Sequence, residues 1–243
     1  MLKDSTMWYA SWFDTPYYHI LYKDRGSKEA QEFMDTLTQY LHLEKGDKIL
    51  DLACGKGRHS IYLNTLGFDV VGADLSKNSI AHASQFENET LHFKVHDMCK
   101  PYNEQFSAVF NLFTSFGYFE KEEDNLNTIK AIKSDLNSNG LGVIDFMNVA
   151  HVIANLVPQE TKKIDGITFD IKRYVNDGYI YKDIQFTDQG EDYFFTEKVK
   201  AITRADFESY FQEADIDLLD IFGNYKLQKF NINTSPRLIM IFK

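Results

Sequence analysis

Ile49-Leu50-Asp51-Leu52-Ala53-Cys54-Gly55-Lys56-Gly57-Arg58-His59 decides the fold of this chain. Its first five residues form a short apolar run broken by one acid, the pattern of a strand running inside a sheet. Two glycines one residue apart follow, and Arg58 to Leu66 then reads as a helix stopped by Gly67. Strand, Gly-containing turn and helix in that order open a βαβ unit. Gly55 and Gly57 let the backbone turn sharply and approach a ligand with no Cβ in the way.

The same alternation continues outward from this stretch. Phe68–Ala73 is a second strand, and Ser76–Phe86 a second helix with Ser76 as its N-cap. Leu91–Val95 and Phe106–Leu112 are further strands, and Asp124–Leu136 is a helix closed by Asn139-Gly140 ahead of a fifth strand, Leu141–Phe146. Strands alternating with helices predict a parallel sheet with helices on both faces. Upstream, Lys28–Leu43 has the spacing of an amphipathic helix, and Thr6–Arg25 is crowded with aromatic residues.

After Asn148 the pattern changes. Ile167–Val175, Tyr179–Thr187 and Asp192–Ile202 alternate apolar and polar residues and are separated by Asp177-Gly178 and Asp188-Gln189-Gly190. They predict an antiparallel meander. Thr203–Glu213 reads as a helix with Thr203 as N-cap and Asp206 three residues on, before two terminal strands, Ile216–Phe222 and Leu238–Phe242.

Composition narrows the function classes. With 44% hydrophobic residues in 243, the chain can build a sizeable core. Its net charge of −10 gives no basic field, so neither a nucleic-acid partner nor an anionic membrane surface is expected. No apolar stretch nears the roughly 20 residues that span a bilayer, and the N-terminus has no apolar signal region, so a cytoplasmic location is expected. Cys54 and Cys99 have no metal-ligand spacing, and the histidines are scattered, so no metal site is expected. Cys54 reads as a small residue filling the turn, since no base is tied to it by spacing.

The ligand class follows from charge at the turn. Asp74 ends the second strand 23 residues after Asp51, where a carboxylate can accept hydrogen bonds from both ribose hydroxyls of an adenosine. Asp51 stands at the end of the first strand beside the glycines. A carboxylate there suits the cationic amino group of a methionine moiety and opposes a pyrophosphate. Ser60 fills the third glycine position of the dinucleotide fingerprint. Together these favour S-adenosylmethionine (SAM) over NAD.

The stretch from Ile49 to His59 resembles motif I of the class I SAM-dependent methyltransferases, with Ala53 in place of the first glycine of the general pattern. Val71-Gly72-Ala73-Asp74-Leu75-Ser76 resembles their ribose-binding motif, and His96-Asp97-Met98 the loop that holds the adenine. Phe110-Asn111-Leu112-Phe113 through Tyr118 resembles the fourth motif, and the match runs in order over residues 48–148. The terminal strands are similar to the sixth and antiparallel seventh strands of that fold. The meander resembles an insertion of small-molecule N-methyltransferases akin to glycine and amino-sugar methyltransferases.

The fold implied is α/β: a seven-stranded, mostly parallel Rossmann-like sheet with an antiparallel last strand, helices on both faces and a small antiparallel β-meander insertion. Residues 1–45 would be an N-terminal helical lid, 46–150 the SAM-binding core, 151–202 the insertion, and 203–243 the helix and strands that complete the core.

The resemblance implies a cofactor set of Arg25, Asp51, Ala53, Gly55, Gly57, Asp74, Leu75, Asp97, Met98 and Asn111. Arg25 in it would grip the methionine carboxylate, a contact apt for a guanidinium. Tyr17, Tyr18, Asn148 and His151 are the candidate substrate-binding residues. Tyr118 and His19 are the candidate catalytic ones, placed to assist loss of an acceptor proton. A small-molecule acceptor methylated on N or O is the expected partner. Methylation of RNA or protein, non-catalytic SAM binding, and NAD-dependent redox chemistry are the rival readings. Pairing of exposed meander strands across a homodimer is a further expectation.

Overall fold

The computed structural model describes residues 12–23, 27–119 and 121–243. The chain forms two compact units: residues 26–151 with 202–243, and residues 1–25 with 152–201.

The larger unit is built on β1 (Lys48–Leu52), β2 (Asp69–Asp74), β3 (Leu91–Val95), β4 (Phe106–Asn111), β5 (Leu136–Met147), β10 (Leu218–Phe222) and β11 (Arg237–Phe242). Their order across the sheet is β10-β11-β5-β4-β1-β2-β3. The pairs among β1 to β5 are parallel, whereas β11 runs antiparallel to both β5 and β10. The last strand is therefore reversed, as the resemblance implied.

Helices α2 (Ser27–Tyr40), α3 (Arg58–Thr65) and α4 (Lys77–Ala83) bring Phe33, Met34, Leu37, Leu63, Ile80 and Ala83 to one sheet face. There they meet Ile49, Val70, Phe93, Ala108, Phe110 and Val143. Burying each large side chain contributes about 1.5–3 kcal/mol. Across the sheet, α5 (Glu122–Asp135) and α7 (Arg204–Glu213) pack together, with Phe207 against Phe116 and Phe146 and Phe211 against Phe242.

The caps follow local chemistry. Ser76 accepts from the Ser79 amide, and Thr203 forms a full capping box with Asp206. Strand β5 begins at Leu136 rather than Leu141. The parallel ladder pairs Phe106 with Leu136 and then Ala108 with Leu141, so polar Asn137–Gly140 bulges out within the strand instead of ending a helix.

The smaller unit is a four-stranded antiparallel sheet, β6 (Gln159–Ile164), β7 (Ile167–Asn176), β8 (Tyr179–Asp188) and β9 (Glu191–Lys200), with a short helix, α1 (Pro16–Leu21). Three two-residue turns join the strands: Asp165-Gly166, Asp177-Gly178 and Gln189-Gly190, each with positive φ at both positions. That conformation matches the twist of a hairpin. The core holds Trp12, Leu21, Ile167, Phe169, Ile171, Ile184 and Phe186. A short helix, α6 (Val149–Ala154), leads from β5 into this sheet.

Candidate active site

The carboxyl ends of β1, β2, β4 and β5 meet at the turn after β1, the place where open α/β sheets take their ligands. Ala53 has φ +62°, Gly55 +56° and Gly57 +78°, three left-handed positions in five residues. The first glycine of the general pattern thus has a conformational cause, and Ala53 carries its cost. A Cβ on Gly55 would meet nothing within 4 Å, so its backbone faces open space. A Cβ on Gly57 would stand 2.5 Å from the Phe93 ring, and so would one on Gly72. Phe93 on β3 therefore requires both glycines.

Asp51 is buried, and its Oδ2 accepts the Ser60 hydroxyl at 2.6 Å. Burial pushes its carboxyl up to about 7; the bond from Ser60 opposes the rise and the nearby Asp74 charge adds to it. Burial also pushes the Cys54 thiol far above its ordinary value, so Cys54 is no nucleophile. Cys54 instead closes the turn, its amide donating to Ala73 and its carbonyl accepting from Gly57.

At the end of β2, Asp74 Oδ2 accepts the Gly55 amide and Oδ1 the Ser76 amide, both at 2.8 Å. These two bonds fix the orientation of the carboxylate at the strand end, where its oxygens are acceptors of the kind a diol needs. Leu75 beside it is 40% exposed, an apolar surface uncovered at the crevice. Beyond β3, Asp97 Oδ1 accepts the Cys99 amide at 3.1 Å and Oδ2 lies 3.4 Å from Lys100 Nζ. Asn111 is fully buried. Its amide nitrogen donates to Leu52 O at 3.4 Å and Met98 Sδ at 3.6 Å, while its Oδ1 has no hydrogen-bond partner.

The other candidates are distributed as follows. Tyr118 lies in the segment after β4. Asn148 is buried, with its amide nitrogen donating at 2.8 Å to both Ile232 O and Ser235 O; it holds the loop before β11. His151 Nδ1 stands 3.3 Å from Asn233 O of the same loop. Tyr17, Tyr18 and His19 belong to the smaller unit. There Tyr17 donates to Asp188 at 3.0 Å and packs on Phe186 and Tyr193, and Tyr18 packs on Trp12, Phe13, His19 and Tyr22. Arg25 lies outside the described residues.

Sequence reasoning missed three members of this site. Ser60 was seen only as a poor fit to the dinucleotide pattern, yet it holds Asp51. Buried Asp145 on β5 and half-buried Arg237 on β11 form an ion pair at 2.8 Å, with the Asp145 carboxylate also holding the Phe113 amide just after β4. An acid inside the apolar run Gly142–Phe146 was the one signal for that pair.

The residues present fit a SAM-type ligand. Open space over Gly55, a buried Asn111 acceptor with no partner, and the carboxyl groups of Asp74 and Asp51 at the ends of adjacent strands together suit an adenosine joined to a cationic amino acid. A pyrophosphate would meet Asp51. Among the described residues, no cluster of three or more His, Cys, Asp or Glu is placed to hold a metal ion.

The fold is that of the class I SAM-dependent methyltransferases, and the residues of the site fit S-adenosylmethionine. A family model described as a methyltransferase domain matches residues 43–215, and the chain belongs to that family. The glycine/sarcosine N-methyltransferase of Aphanothece halophytica is 33% identical over 132 residues, covering 51% of this chain and 48% of that protein. The dTDP-3-amino-3,4,6-trideoxy-alpha-D-glucopyranose N,N-dimethyltransferase of Streptomyces venezuelae is 26% identical over 138 residues, covering 53% and 54%. The chain thus spans about half the length of these curated relatives. A crystal structure of a SAM-dependent methyltransferase from Clostridium acetobutylicum superposes with a TM-score of 0.77 at 20% identity, covering 93% of this chain and 95% of that one.

Proposed function

We propose that this protein transfers the methyl group of SAM to the amine of a small molecule. The observation that carries the cofactor half is the pair Asp51 and Asp74, held by Ser60, Gly55 and Ser76 at the end of adjacent strands. The amine is supported by the relatives, two of which are named as N-methyltransferases of small molecules.

Bound SAM supplies an electrophilic methyl on a sulfonium, which leaves as a neutral thioether. The chain's residues hold and orient it. Asp51 would take the ammonium of the methionine moiety, Asp74 the ribose hydroxyls, and Asp97, Met98, Leu75 and Asn111 the adenine. Alignment and exclusion of water then lower the barrier without a protein nucleophile. An amine acceptor must arrive without its extra proton. Tyr118 and His19 are the residues proposed to accept it, and Tyr17, Tyr18, Asn148 and His151 the ones proposed to recognise the acceptor. Arg25 is proposed to grip the methionine carboxylate.

No described helix is long and apolar enough to cross a membrane. A cytoplasmic location belongs to the proposed reading, as does a homodimer through the edge strands β6 and β9. So does the division into an N-terminal helical lid at residues 1–45, a SAM-binding core at 46–150, an antiparallel insertion at 151–202 and the helix and strands that complete the core at 203–243.

Incubation with methyl-labelled SAM and a panel of glycine, sarcosine, nucleotide-linked 3-amino sugars, RNA and bulk protein tests the reading. Label in an amine, lost in Asp74→Ala, is expected. Label in RNA or protein alone, or tight SAM binding with no acceptor labelled by any member of the panel, would overturn it.

A further inference from the structure

We propose that Arg237 is a positioning residue for the acceptor side of this site: paired with buried Asp145, it locks the turn after β4 that presents Tyr118. This rests on reading the carboxyl-end crevice as the methyl-transfer site.

The turn needs a lock. Two residues beyond Asn111, Phe113 and Thr114 are consecutive non-glycine residues at φ +59° and +63°. L-residues visit this region singly and at a cost, so a run of two persists only where its surroundings fix it. Asp145 supplies both backbone partners. Its Oδ2 accepts the Phe113 amide at 2.8 Å, and its carbonyl accepts the Thr114 amide at 3.0 Å.

Arg237 closes the ring. Its Nε donates to Asp145 Oδ1 at 2.8 Å, and Nη2 donates to Thr114 Oγ1 at 2.9 Å and to Asp145 O at 3.4 Å. One guanidinium therefore ties the carboxylate, the strand backbone and the strained residue together, which a lysine cannot do. The guanidinium lies 5.5 Å from the Tyr225 ring centroid. Phe113 is enclosed by His59, Phe33 and Tyr225 at 4.4, 6.0 and 5.5 Å between ring centroids.

Strand direction explains why a residue so late in the chain does this. Because β11 is antiparallel to β5, its first residue lands at the carboxyl end of β5. Asp145 pairs with Ile239, and Arg237 is the diagonal neighbour on the same face. The reversed last strand thus delivers a cation to the crevice. From the locked turn, Ser115 bonds back to Leu112 O at 2.9 Å, and the chain runs on through buried Phe116 to Tyr118, three residues beyond Ser115.

The test compares Arg237→Lys, Arg237→Met, Thr114→Ala and Thr114→Ser by three readouts. These are S-adenosylhomocysteine affinity, amide exchange over residues 112–119, and the ring resonance of Tyr118 in tyrosine-labelled protein, assigned with Tyr118→Phe. Both arginine variants and Thr114→Ala should exchange at least tenfold faster over 112–119 and displace the Tyr118 resonance. Affinity for S-adenosylhomocysteine should stay within about threefold, and Thr114→Ser should match the parent. Should Arg237→Met fail to fold, Thr114→Ala answers alone, because it removes one hydroxyl acceptor. An unmoved Tyr118 resonance, or faster exchange spread evenly over the sheet, would overturn the proposal. Failure of the parent protein to bind S-adenosylhomocysteine would instead strike the methyltransferase reading and leave the exchange and resonance results interpretable.

Discussion

Ser60 donates its hydroxyl to Asp51 Oδ2 at 2.6 Å, and this bond stands between a buried carboxyl and the burial that favours its neutral form. The two residues lie nine apart, across the turn from β1 to α3. Cofactor binding is thereby tied to a proton. A carboxyl near 7 in the free protein, against 3.8 ordinarily, retains a proton that the unfolded chain loses from about pH 4 upward. Its contribution to the stability of the free protein is therefore full below about pH 4 and is lost as pH rises through 7. An ammonium docking on Asp51 needs the carboxylate, so binding below pH 7 must release that proton.

S-adenosylhomocysteine should consequently bind about tenfold more weakly at pH 6 than at pH 8, with proton uptake by the buffer visible in the calorimetric enthalpy at pH 6. Asp51→Asn should bind weakly at both values with no such step. A parent affinity flat from pH 6 to 8 would mean that Asp51 is already ionised or does not meet the ligand.

Removing the Ser60 hydroxyl should move the same midpoint upward. A hydrogen bond to a charged group is worth about 1.5–3 kcal/mol, and one pKa unit is about 1.4 kcal/mol, so Ser60→Ala should shift the binding midpoint by at least about one pH unit. Binding across pH 6–9.5 measures this. A midpoint that stays or falls contradicts the role of the bond.

Ala53 sits at φ +62° where glycine pays no Cβ penalty. Ala53→Gly should stabilise the protein by about 0.5–1 kcal/mol, after the extra chain entropy of glycine is set against the relieved strain. For a chain of this size that is a rise of about 1–4 °C in Tm, read by calorimetry. A fall in Tm would show that the alanine methyl packs better than the backbone suffers.

Gly57→Ala should be costly. The new Cβ would meet Phe93 at 2.5 Å and Ala83 at 3.1 Å from a backbone at φ +78°. Overpacking and strain together predict a loss of about 2–4 kcal/mol in urea unfolding. Adding Phe93→Ala removes the clash but leaves a cavity, so coupling between the two substitutions, rather than recovery of stability, is the diagnostic. Additive losses would mean that the ring and the glycine do not interact.

Most of the larger unit was legible because its signals are local. Short apolar runs, Ser76 and Thr203 at helix starts, and paired acids at strand ends need only near neighbours to be read. The strand β6 was missed because Gln159–Ile164 is polar and has one partner strand, although Asp165-Gly166 after it is the same hairpin signal that was recognised at Asp177-Gly178. The start of β5 was missed because Asn137–Gly140 reads as a turn, and only the ladder with β4 shows the strand already running. Arg237 carried no signal at all. Its partner is 92 residues away, and only the reversed last strand brings the two together.

Calorimetric titration of the purified protein with SAM, S-adenosylhomocysteine and NAD, alongside Asp74→Ala, tests the central claim most directly. The account predicts micromolar binding of the first two, lost in the variant, and no binding of NAD. Binding of NAD alone, or SAM binding indifferent to Asp74, would contradict it.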